Sequence, residues 1–262
     1  YNEAMLEVAL PSDREIELTM DYGGFPRENR NVSIMQGGTE ISSEYLCLEN
    51  AGLSPRLINV LPGENGYPTT IEITLPASMS VIPFGASKAE VVAEQTDGTK
   101  TWRYDSNSAG GILYAGDYIR QDIQAGGATI QLYYGRKHQA VMEQAGAADA
   151  VRAVVDYCTE HYGPLSFSAG GSLKLIQSRV AGGGYAAGGA SLLDEMDFTA
   201  ANLRDGGKGA VPGEVMIHEL VHQWWGLGNM FDTPEEDSPW SSEGLTVYTS
   251  YRIAKELYGA DY

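Results

Sequence analysis

The sequence predicts an α+β protein in which strands fill the first half of the chain and helices enter only in the second. Three observations carry that reading. Before residue 136, Glu15–Met20, Thr70–Leu75 and Thr129–Tyr133 alternate polar and apolar residues, the period of a strand with one buried face. From Ala147 to Tyr162, the residues Ala147, Val151, Val155, Cys158 and Tyr162 recur at steps of three and four, the period of an amphipathic helix. Further on, His218-Glu219-Leu220-Val221-His222 sits in an apolar run of helical length and holds two of the chain's 4 histidines.

With 262 residues, 43% of them apolar and 10% aromatic, the chain can bury a sizeable core as one large domain or two ordinary ones. The expected division is an N-terminal antiparallel β domain over residues 1–136 and a second domain over residues 137–262. A formal net charge of -18 and a pI near 4.5 repel phosphate backbones and anionic lipid heads, so nucleic acid is not an expected partner. Apolar runs fall short of the roughly 18 residues that span a bilayer, and the N-terminus lacks the pattern of a signal peptide; no direct membrane insertion by this chain is expected. The sequence opens on Tyr1 and stops at Tyr262 inside a helix-like segment, which reads as a fragment incomplete at its C-terminus. Cys47 and Cys158 lie far apart, each in an apolar pattern, and read as two buried thiols.

In chain order, Val91–Glu94 and Thr101–Tyr104 flank Asp97-Gly98, where glycine supplies the positive φ of a tight hairpin turn. Pro26, Pro55, Pro62-Gly63, Pro68, Pro76 and Pro83-Phe84-Gly85 punctuate the rest, as in an antiparallel sandwich or open curved sheet. Asp13, Glu15, Asp21 and Glu40 read as solvated positions. The helix of Ala147–Tyr162 stops at Gly163-Pro164, and His161 near its end complements the C-terminal dipole. Ser172–Gln177 reads as a strand. Next comes Gly182-Gly183-Gly184-Tyr185-Ala186-Ala187-Gly188-Gly189, either an edge strand along which a substrate lies or a flexible turn. It lacks the Gly-Lys-Ser/Thr ending of a phosphate loop. Pro212 is placed for the first turn of the histidine helix, which Gly226 and Gly228-Asn229 end.

Residues four apart on a helix share a face, so His218 and His222 can offer ring nitrogens to one ion. Glu219, one step round, falls beside the ion, placed to take a proton from a metal-bound water. The helix is largely apolar and should be buried, where an imidazole needs a partner such as an ion. A catalytic zinc takes three protein ligands and keeps one position open. No histidine follows His222, so the third ligand should be a carboxylate. Glu235, Glu236 and Asp237 crowd an acidic loop that reads as solvated. Glu243 falls in the first turn of a helix capped by Ser241 or Ser242 and running to Tyr258-Gly259, where the dipole favours the ionised form a metal needs. Glu243 is therefore the expected ligand. Two imidazoles and one carboxylate, with a glutamate inside the histidine pair, suit zinc over iron.

His218-Glu219-Leu220-Val221-His222-Gln223-Trp224-Trp225-Gly226, with Trp240 and Glu243-Gly244-Leu245-Thr246-Val247-Tyr248, resembles the aminopeptidase N family of gluzincin zinc metallopeptidases, which also includes leukotriene-A-type epoxide hydrolases. Tyr162-Gly163-Pro164 resembles the turn after that family's first catalytic-domain helix, and the strand-rich half resembles its N-terminal β domain. The resemblance implies a thermolysin-like zinc peptidase domain over residues 137–262, with zinc on His218, His222 and Glu243, Glu219 as general base and a peptide as substrate. It also favours an extracytoplasmic or cell-surface location, with room for membrane segments elsewhere in the full-length protein. The alternative is a zinc-containing binding or scaffolding module of a membrane-associated assembly, without turnover. Three departures stand out. The gap between His222 and Glu243 is two residues longer than is usual in that family. The family's Gly-x-Met-Glu-Asn signature falls on Gly183-Gly184-Tyr185-Ala186-Ala187, so the glutamate that grips a substrate's amino group is replaced by Ala186. The chain also stops before the position of the family's transition-state tyrosine. Gly183, Gly184, Tyr185 and Ala186 are then the expected substrate-binding residues, with Tyr185 facing a substrate that needs no free N-terminus.

Overall fold

The computed structural model describes residues 17, 19–21, 23–24, 39–48, 69–84, 88–106, 113–166, 172–179, 183–195, 213–229 and 239–259. Half of the expected strand Glu15–Met20 lies outside them, and its described residues Glu17, Thr19 and Met20 are in no strand; also outside are Asp13, Pro26, Pro55, Pro62-Gly63, Pro68, Gly85, Gly182, Pro212 and the acidic residues Glu235, Glu236 and Asp237.

The first strands form two antiparallel sheets. Strands β1 (Thr39–Ile41), β2 (Tyr45–Leu48), β4 (Ser80–Pro83) and β7 (Leu113–Gly116) join in the order β1-β2-β7-β4, and β3 (Thr69–Pro76), β5 (Glu90–Glu94) and β6 (Thr99–Ser106) in the order β3-β6-β5. Leu46, Leu48, Val81, Leu113 and Ala115 of the first sheet pack against Ile71, Ile73, Leu75, Trp102 and Tyr104 of the second, which makes the expected sandwich. At the hairpin between β5 and β6, Gly98 takes φ +86 and Asp97 Oδ1 accepts from the Thr99 amide at 3.0 Å. Alternation in β3 arises because its odd residues meet the other sheet while the even ones are exposed.

A third sheet positions the site. It is mixed, with β8 (Tyr118–Ala125), β9 (Ala128–Gly135), β10 (Ser172–Ser178), β11 (Gly184–Ala187) and β12 (Ala190–Asp194) in the order β11-β12-β10-β9-β8. Strands β9, β10 and β12 run parallel; β8 and β11 are antiparallel edges. Thr129–Tyr133, expected in the antiparallel sandwich, is instead paired in parallel with Ser172–Ile176. Patterning misplaced it because a period of two reports a half-buried face and says nothing of which strand lies alongside. A parallel neighbour requires a crossover, which is supplied by α1 (Gln139–Ala145) and α2 (Ala147–Tyr162). Helix α2 has the bounds its apolar spacing predicts, and Gly163 with φ +95 ends it. His161 stacks on Tyr157 with ring centroids 4.1 Å apart and bonds its carbonyl at 2.9 Å.

This sheet is the middle layer. One face sends Ile130, Leu132, Leu173, Leu175 and Leu193 into a core with Val151, Val154, Val155 and Cys158 of α2, and with Ile217, Leu220 and Val221. The other sends Ile176 and Leu192 against Tyr45, Cys47, Ile82 and Tyr114 of the sandwich. Each such buried Leu, Ile or Val stabilises by about 1.5–3 kcal/mol. Cys47 and Cys158 are thiols buried in these two separate cores, with no disulfide between them.

Polar contacts cross the seam between sandwich and middle sheet. Lys174 Nζ donates to Pro83 O at 2.7 Å and Arg179 pairs with Glu40 at 3.2 Å; on the middle-sheet side Arg179 also pairs with Glu195 at 3.2 Å, and Tyr118 Oη donates to Gln177 O at 2.6 Å. Glu40 is thus 8% exposed and not the solvated residue expected, since the charge of Arg179 compensates its burial. Burial works against the charge of Glu195, yet Lys137 and Arg179 hold its carboxyl below the ordinary range. Among the described residues no helix is long and apolar enough to cross a membrane.

Candidate metal centre

Helix α3 (Glu214–Val221) forms because Met216, Ile217, Leu220 and Val221 make an apolar face, buried against the middle sheet and α2. It starts after Gly213, which has φ +68, and His222 keeps helical dihedrals as its C-cap. The His222 amide still bonds His218 O at 3.1 Å, so the two imidazoles remain one turn apart on one face. The chain then turns away at Gly226, with φ +87, where a β-carbon would collide with Ser242 Oγ. Glu243 opens α4 (Glu243–Tyr258). Ser242 occupies the N-cap position as expected, but its side chain makes no cap bond and abuts Gly226 instead. Trp225 Nε1 donates to Thr249 Oγ1 at 2.9 Å, locking α4 onto the turn after α3.

Among the described residues, His218, His222 and Glu243 form a group whose ligand atoms lie within 4.8 Å of one another. The two Nε2 atoms are 3.0 Å apart, and Glu243 carboxylate oxygens stand 3.2 Å from His218 Nε2 and 3.4 Å from His222 Nε2. A tetrahedral zinc with bonds of about 2.0–2.1 Å separates its ligand atoms by roughly 3.3 Å, so this triangle fits the ion. Proton placement fits as well. Nδ1 of His222 lies 3.2 Å from Trp225 O, an acceptor only, so Nδ1 carries the proton and Nε2 presents its lone pair. Burial, and then the neighbouring His222, lower the pKa of His218 against the opposing pull of Glu243, favouring the neutral ring that ligates.

Glu219 is 6% exposed and lies under the N-terminal end of β11. A β-carbon on Gly184 would overlap Cγ, Cδ and Oε1 of Glu219, so only glycine lets the strand pass this close. The glycine-rich segment therefore holds an edge strand, bonded among the described residues to β12 on one side only. By strand alternation Ala186 shares the Gly184 face, while Tyr185 points to the opposite one and stacks on Phe84 of the sandwich, 6.2 Å between centroids. That ring thus meets the sandwich. Gly183 precedes the strand with φ +89 and accepts from the Asp194 amide at 2.8 Å. Beside His218, a small pocket between α3 and α4 is lined by Glu214, Ile217, Val247, Ser250 and Tyr251.

Sequence reasoning missed the residues that hold these parts in register. Thr246, fully buried, places its hydroxyl 3.2 Å from His222 Nδ1. Its signal was available, since three residues after Glu243 is the same helix face. Gln223 donates to Ala187 O at 3.1 Å and accepts from the Gly189 amide at 3.3 Å, and Ser191 Oγ donates to Glu219 O at 2.9 Å. These bonds pair side chains with backbone far away in sequence, for which no local pattern exists.

No family profile and no curated protein matches the sequence. Solved structures match in fold. An M1 zinc metallopeptidase from Deinococcus radiodurans is 20% identical with a TM-score of 0.53, over 91% of this chain and 52% of that one. A mutant two-domain M1 zinc metallopeptidase, solved bound to L-arginine, is 19% identical with a TM-score of 0.52 and the same coverage. The chain spans about half the length of these proteins. It shares, at a distant level, the fold of the M1 zinc metallopeptidases.

Proposed function

We propose that the protein is a zinc-dependent peptidase in which His218, His222 and Glu243 hold the metal and Glu219 is the general base. The observation that carries this reading is the convergence of two imidazole Nε2 atoms and a carboxylate within 3.0–3.4 Å, with a buried glutamate beside them under an open strand edge. A bound zinc supplies a Lewis acid for a carbonyl oxygen and a lowered pKa, toward about 7, for water. Glu219 accepts the proton of the attacking water at its carboxylate and delivers it to the leaving amine nitrogen. Its burial keeps that transfer out of bulk solvent. The outer edge of β11, in the segment Gly183 to Ala186, offers the amides and carbonyls of Gly184 and Ala186 to an extended peptide as an added strand, while the Gly183 carbonyl and, by alternation, the Tyr185 backbone face β12. Thr246 and the Trp225 carbonyl fix the His222 ring.

In this reading the middle sheet with α1 to α4 is the thermolysin-like part and the sandwich is the β domain. The seam then follows the contacts around Lys174 and Arg179 rather than the change of pattern near residue 137. Metal analysis tests the assignment. About one zinc per chain is expected; His222→Ala and Glu243→Ala lose it, whereas Glu219→Gln keeps it and lowers peptide hydrolysis by about 10²–10⁴-fold. Full zinc retention by Glu243→Ala would remove that residue from the ligand set. Tight zinc without any hydrolysis by the unaltered protein would support the binding module instead.

A further inference from the structure

We propose that Phe84 of the sandwich is a positioning residue for the peptide-binding strand, fixing through Tyr185 how closely β11 lies on Glu219. This inference rests on the peptidase reading. Strand β11 has four residues and, among the described residues, one strand neighbour, so its outer edge depends on its two faces for support. On the α3 face there is no slack, because Gly184 already touches the Glu219 carboxylate. The C-terminal end is tied by Gln223 to Ala187 O and to the Gly189 amide. At the N-terminal end Gly183 and Gly184 have no side chains, and Tyr185 is the first residue that can anchor the strand from behind.

Its anchor is aromatic. The Tyr185 ring lies on Phe84 at 6.2 Å with 27° between planes, and Phe84 meets the edge of Tyr114 at 6.4 Å and 69°. Tyr114 is fully buried in the core between sandwich and middle sheet. The residue before Phe84 is pinned as well, since Pro83 O accepts from Lys174 Nζ at 2.7 Å. A path of packed groups thus runs from the sandwich through Phe84 and Tyr185 to the strand resting on Glu219. Removing the Phe84 ring lets the Gly184 end lift from the helix, which displaces the edge amides a peptide must pair with. Neither the metal ligands nor their supporting bonds lie on this path, so the loss should fall on peptide binding.

The test uses the zinc-loaded protein and one blocked peptide substrate, with Phe84→Ala and the ring-keeping Phe84→Tyr, each in the unaltered and the Glu219→Gln background. Phe84→Ala should raise KM about five- to tenfold, as expected for loss of an aromatic stack, with kcat changed by less than about twofold. The Kd of the same peptide for the Glu219→Gln protein, read by calorimetry, should rise by the same factor. Zinc content should stay unchanged, and Phe84→Tyr should restore KM and Kd to within about twofold. Unaltered KM and Kd in Phe84→Ala would overturn the proposal. So would a loss of zinc and kcat together with KM, or a defect that Phe84→Tyr does not rescue, since either marks general structural damage. If the unaltered protein binds peptide but does not cleave it, the peptidase reading fails while the Kd arm still decides the role of Phe84. Absence of peptide binding to the unaltered protein would overturn both.

Discussion

At Gly184 the strand backbone and the Glu219 carboxylate share the space a β-carbon would take. Gly184→Ala must therefore push either the strand or the carboxylate aside, by a distance on the order of 1 Å. Displacements of that size in a reacting group lower rates by about 10²-fold. Zinc content should not change, because the three atoms nearest the added methyl group all belong to Glu219 and none to His218 or His222; hydrolysis rate and metal content measured on one preparation check this. Thr246 acts on the ligand side. Thr246→Val keeps volume but removes the hydroxyl beside His222 Nδ1, leaving Trp225 O as that nitrogen's remaining contact. Loss of such a supporting group weakens metal affinity by about 10–100-fold, to be read by chelator competition. An unchanged affinity would show that the Trp225 carbonyl alone holds the ring.

Under the proposed function strand β11 is the element on which specificity turns, and it carries no carboxylate. A bare ammonium in a partly desolvated cleft costs several kcal/mol without an anionic partner. A peptide paired along Gly183 to Ala186 is therefore expected to be cleaved with or without N-terminal acetylation, to within about threefold for one sequence. Cleavage abolished by acetylation would mean that another acid grips the amine, and Glu214 in the pocket beside His218 is the first to replace. Elements differ in how far the sequence foretells them. Helix α2 was legible to the residue because a period of 3.6 with a Gly-Pro stop is local information. Likewise His218, His222 and Glu243 could be named because two helices display them at readable offsets. Partnerships were not legible: β9 lies beside β10, Glu40 meets Arg179, and Tyr185 meets Phe84, all across long stretches of chain. Such contacts are chosen by the three-dimensional fit of layers, which no short window of sequence encodes.

Across the whole molecule, the middle sheet separates two cores, and Lys174 is the one lysine on its central strand, β10. It is 4% exposed, and burial, aided by the positive charges of Lys88 and Arg120, pushes its pKa down to about 8. The unfolded chain holds that proton up to its ordinary value of 10.5. Between pH 8 and 10.5 the unfolded state therefore binds more protons than the folded one, and stability rises with pH across that window. Below pH 8 the ammonium is buried at a cost of about 3 kcal/mol, which its bond to Pro83 O offsets in part. Lys174→Met removes the titration while keeping an unbranched side chain in the seam. Urea unfolding of both proteins should show the native chain gaining roughly 1–2 kcal/mol on the variant between pH 8 and pH 9.5. A stability difference that stays flat over that range would mean the ammonium is solvated, and that the sandwich and the middle sheet are not closed over it at this point.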